Sequence, residues 1–172
     1  MKGWKMRTIL AILSAGAFLC VTNARADVGE PLPVKPGFDM QMVKRGQYLV
    51  KISGCNDCHT PGYVPSEGKV ADELWLSGDA FGWRGPWGTT YASNLRILIG
   101  QLTEEQWVSM AKALKARPPM PWFNLNAMTK DDLGAMYQFI RYLGPTGIPA
   151  PIYVPPDKEP NGPHAIFPSP PK

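Results

Sequence analysis

Two cysteines and a histidine stand close together in the chain, in the order Cys55-Asn56-Asp57-Cys58-His59. This C-x-x-C-H pattern is the attachment signature of a covalently bound haem. Each thiol can add to one vinyl group of the macrocycle, and two intervening residues on a helical turn bring both sulfurs to the same ring. The histidine that follows then lies under the iron. The motif predicts one haem c (one iron), attached at both cysteines and ligated by the histidine.

Three other uses of this cysteine pair are less well supported by the sequence. A disulfide between Cys55 and Cys58 would close a very short loop and add little stability. A thiol redox pair of the thioredoxin kind belongs to a strand–helix–strand pattern, which is missing around the motif. A zinc site needs two further ligands, and the other histidine, His164, lies in a proline-rich tail.

The opposite face of such an iron is bound by a methionine, by a histidine or by no side chain. Met120 lies between Pro119 and Pro121, in a segment that joins two predicted helices. Each proline fixes its own φ and restricts the residue before it, so this loop holds a side chain in place at little entropic cost. We predict Met120 as the second metal ligand. The alternatives are a Met120 that only packs, and His164 as the ligand.

Three helices are predicted around these residues, and they account for other methionines. Met110 and Met136 fall on buried stripes with the i, i+3, i+4, i+7 spacing, so they are assigned to the core. A capping box with Gln106 opens the second helix. Each predicted helix begins at a polar N-cap residue: 39–53 at Asp39, 103–117 at Thr103, and 130–143 at Thr129.

Two segments rich in glycine or proline are expected to lack regular structure. Residues 60–100 contain three tryptophans and many glycines, which favours an ordered wrap over the haem rather than a sheet. Residues 145–172 contain ten of the 19 prolines. This tail either lies along the domain or a partner subunit, through apolar residues such as Tyr153 and Phe167, or is disordered. The sequence leaves both possibilities open.

The first 26 residues have the features of a cleaved secretory signal. Lys2, Lys5 and Arg7 precede an apolar stretch, and Ala24-Arg25-Ala26 supplies small residues at a cleavage site. Removing this segment takes away four cations and no acid, so 14 basic residues then balance 14 acidic ones. The mature chain would therefore carry no basic field for nucleic acid. We predict a periplasmic location.

The order of these features resembles the class I cytochromes c over about residues 40–145. More narrowly, the chain is similar to the single-haem units found alone, or repeated, in cytochrome subunits of bacterial membrane dehydrogenases. The motif occurs once here, and Arg96-Ile97-Leu98-Ile99-Gly100 follows where relatives usually have Thr-Pro-Asp. The stretches that carry the resemblance are Arg45-Gly46-Gln47-Tyr48-Leu49 before the C-x-x-C-H motif, Gly88-Thr89-Thr90-Tyr91-Ala92-Ser93-Asn94-Leu95, Met120-Pro121-Trp122, and Met128-Thr129-Lys130-Asp131-Asp132-Leu133.

The resemblance implies an all-α cytochrome c fold, with a few helices wrapped around one covalent haem and long irregular segments between them. It implies thioethers at Cys55 and Cys58, and His59 and Met120 as axial ligands. It also implies that the first and last helices cross near Gly46. The expected divisions are a signal peptide at 1–26, an extended arm at 27–37, a cytochrome c domain at 38–145 and a Pro-rich tail at 146–172.

A haem held from both faces has no open position for a substrate, so the sequence predicts one-electron transfer without a catalytic residue. The protein is then a soluble carrier, or the cytochrome subunit of a dehydrogenase or respiratory complex. Its expected partners are redox proteins (a dehydrogenase, a bc-type complex or a terminal oxidase), and any membrane association is through a partner. The alternative is a peroxidase-like haem enzyme or gas-binding protein with an open distal site.

Overall fold

The computed structural model of the protein describes residues 32–168. Among these residues, none of the helices has the length and apolar character that a membrane span requires. The predicted signal peptide and residues 27–31 of the predicted arm lie outside the described residues. The helices are α1 (Met40–Ile52), α2 (Cys55–His59), α3 (Leu95–Gly100), α4 (Glu104–Ala113), α5 (Trp122–Ala127) and α6 (Lys130–Leu143). The strands are β1 (Gly82–Gly85), β2 (Gly88–Tyr91) and β3 (His164–Ile166), and Asp72–Leu74 form a 3-10 turn.

The three predicted helices begin where their N-cap residues indicate. The Asp39 carboxylate accepts from the first turn of α1, and the Thr129 hydroxyl accepts from the Asp132 amide at 3.1 Å in α6. Thr103 and Gln106 form the predicted capping box of α4. The prediction was wrong at the end of α4, which stops at Ala113 rather than 117. The two prolines at 118 and 119 cannot donate the hydrogen bonds that a last turn at 117 would need.

Helices α1 and α6 form the principal packing contact of the described chain. They meet at Gly46, where a Cβ atom would overlap the carbonyl oxygen of Ala135 and lie 2.7 Å from the Cβ of Phe139. Because Gly46 has no side chain, the two backbones approach closely, and Val43, Val50 and Phe139 are fully buried beside the crossing. The predicted crossing near Gly46 is confirmed.

A small sheet lies in the segment that was expected to be an irregular wrap. Strands β1 and β2 form an antiparallel hairpin in which Gly85 pairs with Gly88, and β3 pairs with β1 in parallel. The strand order is β2-β1-β3. Only residues 82–85 and 88–91 of the segment 60–100 are in strands, and the helices supply most of the core. The sheet is a departure from the purely helical architecture that was expected.

The described part of the proline-rich tail packs on the domain. Strand β3 belongs to the sheet, and the backbones of Thr89 and Val154 exchange two hydrogen bonds, at 2.7 and 3.0 Å. The Phe167 ring lies 5.9 Å from the Trp83 ring and 5.4 Å from the Trp87 ring, between centroids. Of the two possibilities that the sequence left open, residues 149–168 therefore follow the first and lie along the domain.

Arg96 is a buried charged residue with several hydrogen-bond acceptors around it. Its side chain is 5% exposed in the first turn of α3. The guanidinium donates to the carbonyl oxygens of Glu73, Leu143 (2.6 Å) and Gly144. Two of these carbonyls, those of Leu143 and Gly144, lie at the C-terminal end of α6. Carbonyl groups at the end of a helix lack hydrogen-bond partners within the helix, and a nearby positive charge is favourable there. Arg96 therefore ties the 3-10 turn and the end of α6 to α3.

Replacing Arg96 with methionine is expected to lower the free energy of unfolding by about 2 kcal/mol, because three acceptors lose a charged donor inside the protein. Urea unfolding of the purified protein measures the change. Arg141→Met is the matched control, since Arg141 makes one exposed hydrogen bond to Gly100 at 3.2 Å. Equal urea midpoints for the two variants would contradict the anchoring role.

Candidate haem site

The C-x-x-C-H motif forms the short helix α2, directly after α1. Gly54 precedes it with a φ of 69°, a left-handed conformation that glycine adopts without strain. This turn redirects the chain between the two helices. Cys55 and Cys58 are free thiols on one helical turn, and both line the cavity described below together with His59. The local fold therefore brings the three predicted residues to one wall.

The His59 ring is oriented by a residue distant in sequence. Its Nδ1 lies 2.7 Å from the carbonyl oxygen of Ser93, and a carbonyl only accepts, so Nδ1 carries the proton. The other nitrogen, Nε2, is then free of a proton and able to bind a metal. Burial lowers the pKa of His59 below its ordinary value, which keeps the ring neutral. Ser93 was not predicted as a site residue.

The two thiols have the opposite character from those of a thiol redox centre. Burial, and then the nearby Asp57 carboxylate, raise the pKa of Cys55 to about 12. Burial and the same carboxylate also raise the pKa of Cys58. Reactive cysteines in redox enzymes have lowered pKa values, which keep them as thiolates. The surroundings of this pair do not supply that activation.

A cavity of about 740 Å³ adjoins the motif. Its size lies within the range of about 300–1,000 Å³ that is typical of ligand and cofactor sites. Its wall is mainly apolar and aromatic, with contributions from α2, the β2–α3 segment, α4, the Met120 loop, α6 and the tail. Besides Cys55, Cys58 and His59, its lining includes Trp83, Tyr91, Leu95, Leu98, Trp107, Met110, Leu114, Arg117, Met120, Leu125, Met136, Pro151 and Tyr153.

Met120 lines this cavity together with His59, and its assignment as an iron ligand stays a prediction. Met110 and Met136, which the sequence assigned to the core, line it as well. Met136 is 1% exposed within α6, and Met110 lies on α4, whereas Met120 belongs to the irregular loop before α5. The alternative ligand His164 lies in β3 and does not line this cavity.

The donor set and the cavity wall fit a haem. The wall combines two thiols, a neutral imidazole with one free nitrogen, and thioether sulfurs, which are the groups that attach and ligate haem. The indole Nε1 of Trp83 is buried on this wall without a hydrogen-bond partner among residues 32–168. A buried donor without an acceptor is unfavourable, so the wall suits a bound group with acceptor atoms, such as the carboxylates of a haem.

Zinc and related metal sites require a cluster of several ligating side chains. In the described part of the chain, no group of three or more His, Cys, Asp and Glu side chains is arranged to hold a metal ion. The motif cysteines and His59 line the cavity described above.

One curated protein that matches the chain is the fructose dehydrogenase cytochrome subunit of Gluconobacter japonicus. The two are 29% identical over 132 residues, with 71% of this chain and 25% of that protein covered. The chain is similar to a dehydrogenase cytochrome subunit. The match spans only about a quarter of that protein's length. No family model and no solved structure matches the chain.

Proposed function

We propose that this chain is a c-type cytochrome that carries one electron at a time between redox proteins in the periplasm. Cys55 and Cys58 would hold a single haem c through thioethers, and His59 and Met120 would supply the two protein ligands of its iron. The fold is then a cytochrome c fold with an added sheet. The observation that carries the proposal is the cavity shared by all four of these residues.

The haem, when bound, supplies an iron that accepts and releases one electron. The side chains set the conditions for that change. His59 is neutral and is held by Ser93, so it binds without first losing a proton. The uncharged sulfur of Met120 favours Fe(II) over Fe(III) compared with a second imidazole and raises the reduction potential. The mainly apolar wall would surround a bound haem and would further disfavour the more highly charged oxidised state.

The partners are redox proteins, namely a dehydrogenase, a bc-type complex or a terminal oxidase. The similarity to a dehydrogenase subunit supports the first of these. The sequence pattern of residues 1–26 supports export, and the balanced charge of the remaining chain favours docking that depends only weakly on salt. Any association with a membrane is through such a partner. The chain acts as a carrier or a subunit and not as an enzyme by itself.

Replacing Met120 with alanine tests the ligand assignment. The oxidised wild-type protein is expected to be low-spin with the near-infrared sulfur-to-iron band, and the reduced protein is expected to refuse carbon monoxide at neutral pH. In Met120→Ala the band is lost, carbon monoxide binds readily and the reduction potential falls, because the iron loses its thioether ligand. Absorption spectra and a redox titration measure these changes.

Met110→Ala is the matched control, because Met110 also lines the cavity and also has a thioether sulfur. The band and the refusal of carbon monoxide should both persist in this variant. A band that disappears in Met110→Ala and survives in Met120→Ala would assign the ligand to Met110. Wild-type protein that binds carbon monoxide readily would support the open-site alternative, a peroxidase-like or gas-binding haem protein.

A further inference from the structure

The loop that carries Met120 has identifiable supports outside its own sequence. The Thr90 hydroxyl, in β2, donates to the carbonyl oxygen of Pro118 at 2.8 Å. The guanidinium of Arg117 lies over the ring of Tyr153, 3.9 Å from its centroid. Tyr153 belongs to the C-terminal tail, so the loop rests on two elements that are far from it in sequence.

Tyr153 is itself fixed in place by the hairpin. Its hydroxyl donates to the carbonyl oxygen of Trp87 at 2.9 Å, and the next residue, Val154, makes the two backbone hydrogen bonds to Thr89. Gly88 has a φ of 97°, and a Cβ there would lie 2.5 Å from the Val154 carbonyl oxygen and 2.8 Å from Tyr153. The absence of a side chain at Gly88 lets the tail approach this closely.

The tail is anchored again beyond Tyr153. The Arg84 guanidinium donates to the carbonyl oxygen of Lys158 at 2.8 Å and pairs with Glu159 at 2.8 Å. Strand β3 then joins β1, and Phe167 packs against the hairpin tryptophans. The segment between α6 and these anchors passes along the cavity, which Pro151 and Tyr153 both line. The tail therefore has the form of a strap fastened on the sheet.

We propose that this strap, residues 149–167, holds the Met120 loop at the cavity, with Tyr153 as a positioning residue that acts through Arg117. The inference rests on the proposed function, since it concerns the ligand loop of the same site. Arg117 is three residues from Met120, on the same stiff Pro-rich segment, so the ring beneath it limits how far the loop can swing from the cavity.

Exogenous imidazole, which competes with methionine for a ferric haem, probes the loop. Tyr153→Ala is expected to bind imidazole about fivefold more tightly than wild type, because loss of the cation–π contact with Arg117 changes an equilibrium by about that factor. Arg117→Ala should give a similar gain, and the double variant should gain no more than either single variant, since both remove one contact. Titrations followed at the near-infrared band measure the affinities.

Ile152→Ala is the matched control, because Ile152 adjoins Tyr153 but is 86% exposed. It should bind imidazole as wild type does. Arg117 is exposed, so Arg117→Ala is expected to fold. If Tyr153→Ala does not fold, Arg117→Ala alone tests the proposal. Wild-type imidazole affinity in Arg117→Ala, or additive gains in the double variant, would contradict the proposal that the strap holds the Met120 loop. Wild-type protein lacking the sulfur-to-iron band would instead overturn the ligand assignment of the proposed function, and the strap with it.

Discussion

Replacing both Cys55 and Cys58 with serine should abolish covalent haem attachment completely. In a host that matures c-type cytochromes, the wild-type chain is expected to carry the mass of one haem that survives denaturation. The double variant retains neither sulfur and cannot form a thioether, so its denatured polypeptide should have the mass of the bare chain. Mass spectrometry under denaturing conditions, together with absorption spectra of the same samples, measures the result.

Asp57→Ala is the control for this experiment. Asp57 lies between the cysteines in α2, is exposed, and has no place in attachment or ligation. Burial, and then the Asp57 carboxylate, raises the pKa of both thiols, so Asp57→Ala removes the smaller of these two causes and leaves both sulfurs in place. This variant should keep a full complement of haem. A wild-type chain that leaves the exporting host colourless, without bound haem by mass, would remove the basis of the proposed function.

The parts of the site that depend on short-range sequence were predictable. The cysteines and His59 lie on one turn of α2, so their spacing alone places them together. The helix starts at Asp39, Thr103 and Thr129 follow from a side chain that caps an amide two or three residues later. Those interactions are local, and the tertiary structure does not need to be known to infer them.

The contacts between distant segments were not predictable from such patterns. The carbonyl of Ser93 orients His59 across 34 residues, and a backbone carbonyl leaves no mark in the sequence. The Arg117–Tyr153 contact likewise joins two segments whose prolines indicate only stiffness. Both contacts join segments that are distant in sequence, so they are decided by tertiary packing.

The sheet escaped prediction for a different reason. Strands β1 and β2 have four residues each, too few for alternation of apolar and polar residues to stand out. The usable signal was the pair Gly85 and Gly88, which flank a two-residue loop and pair across the hairpin. Glycines on both sides of a short loop are typical of tight turns. The segment 60–100 contains many other glycines, so this pair did not stand out in the sequence.

Substituting Gly46 is expected to have the largest effect on stability. Gly46→Ala should lower the free energy of unfolding by about 3 kcal/mol, because the new methyl group meets the Ala135 backbone, which cannot move without separating α1 from α6. This loss outweighs the gain of about 1 kcal/mol that alanine brings to a helix interior. Gly46→Val adds two more carbons at the same crossing and should yield no folded protein. Urea unfolding midpoints and the yield of folded protein measure both effects.

Gly134→Ala distinguishes packing from helix propensity. Gly134 is also inside a helix, but a Cβ there would come close only to the end of the Glu104 side chain, with Oε1 at 2.8 Å, and would make an ordinary contact with the Met42 Cε at 3.9 Å. That carboxylate can rotate away, although its hydrogen bond to Gln138 then weakens. The variant should therefore be as stable as wild type or slightly more stable. If Gly46→Ala shared that behaviour, the close α1–α6 crossing would be contradicted, since both glycines would then respond to helix propensity alone.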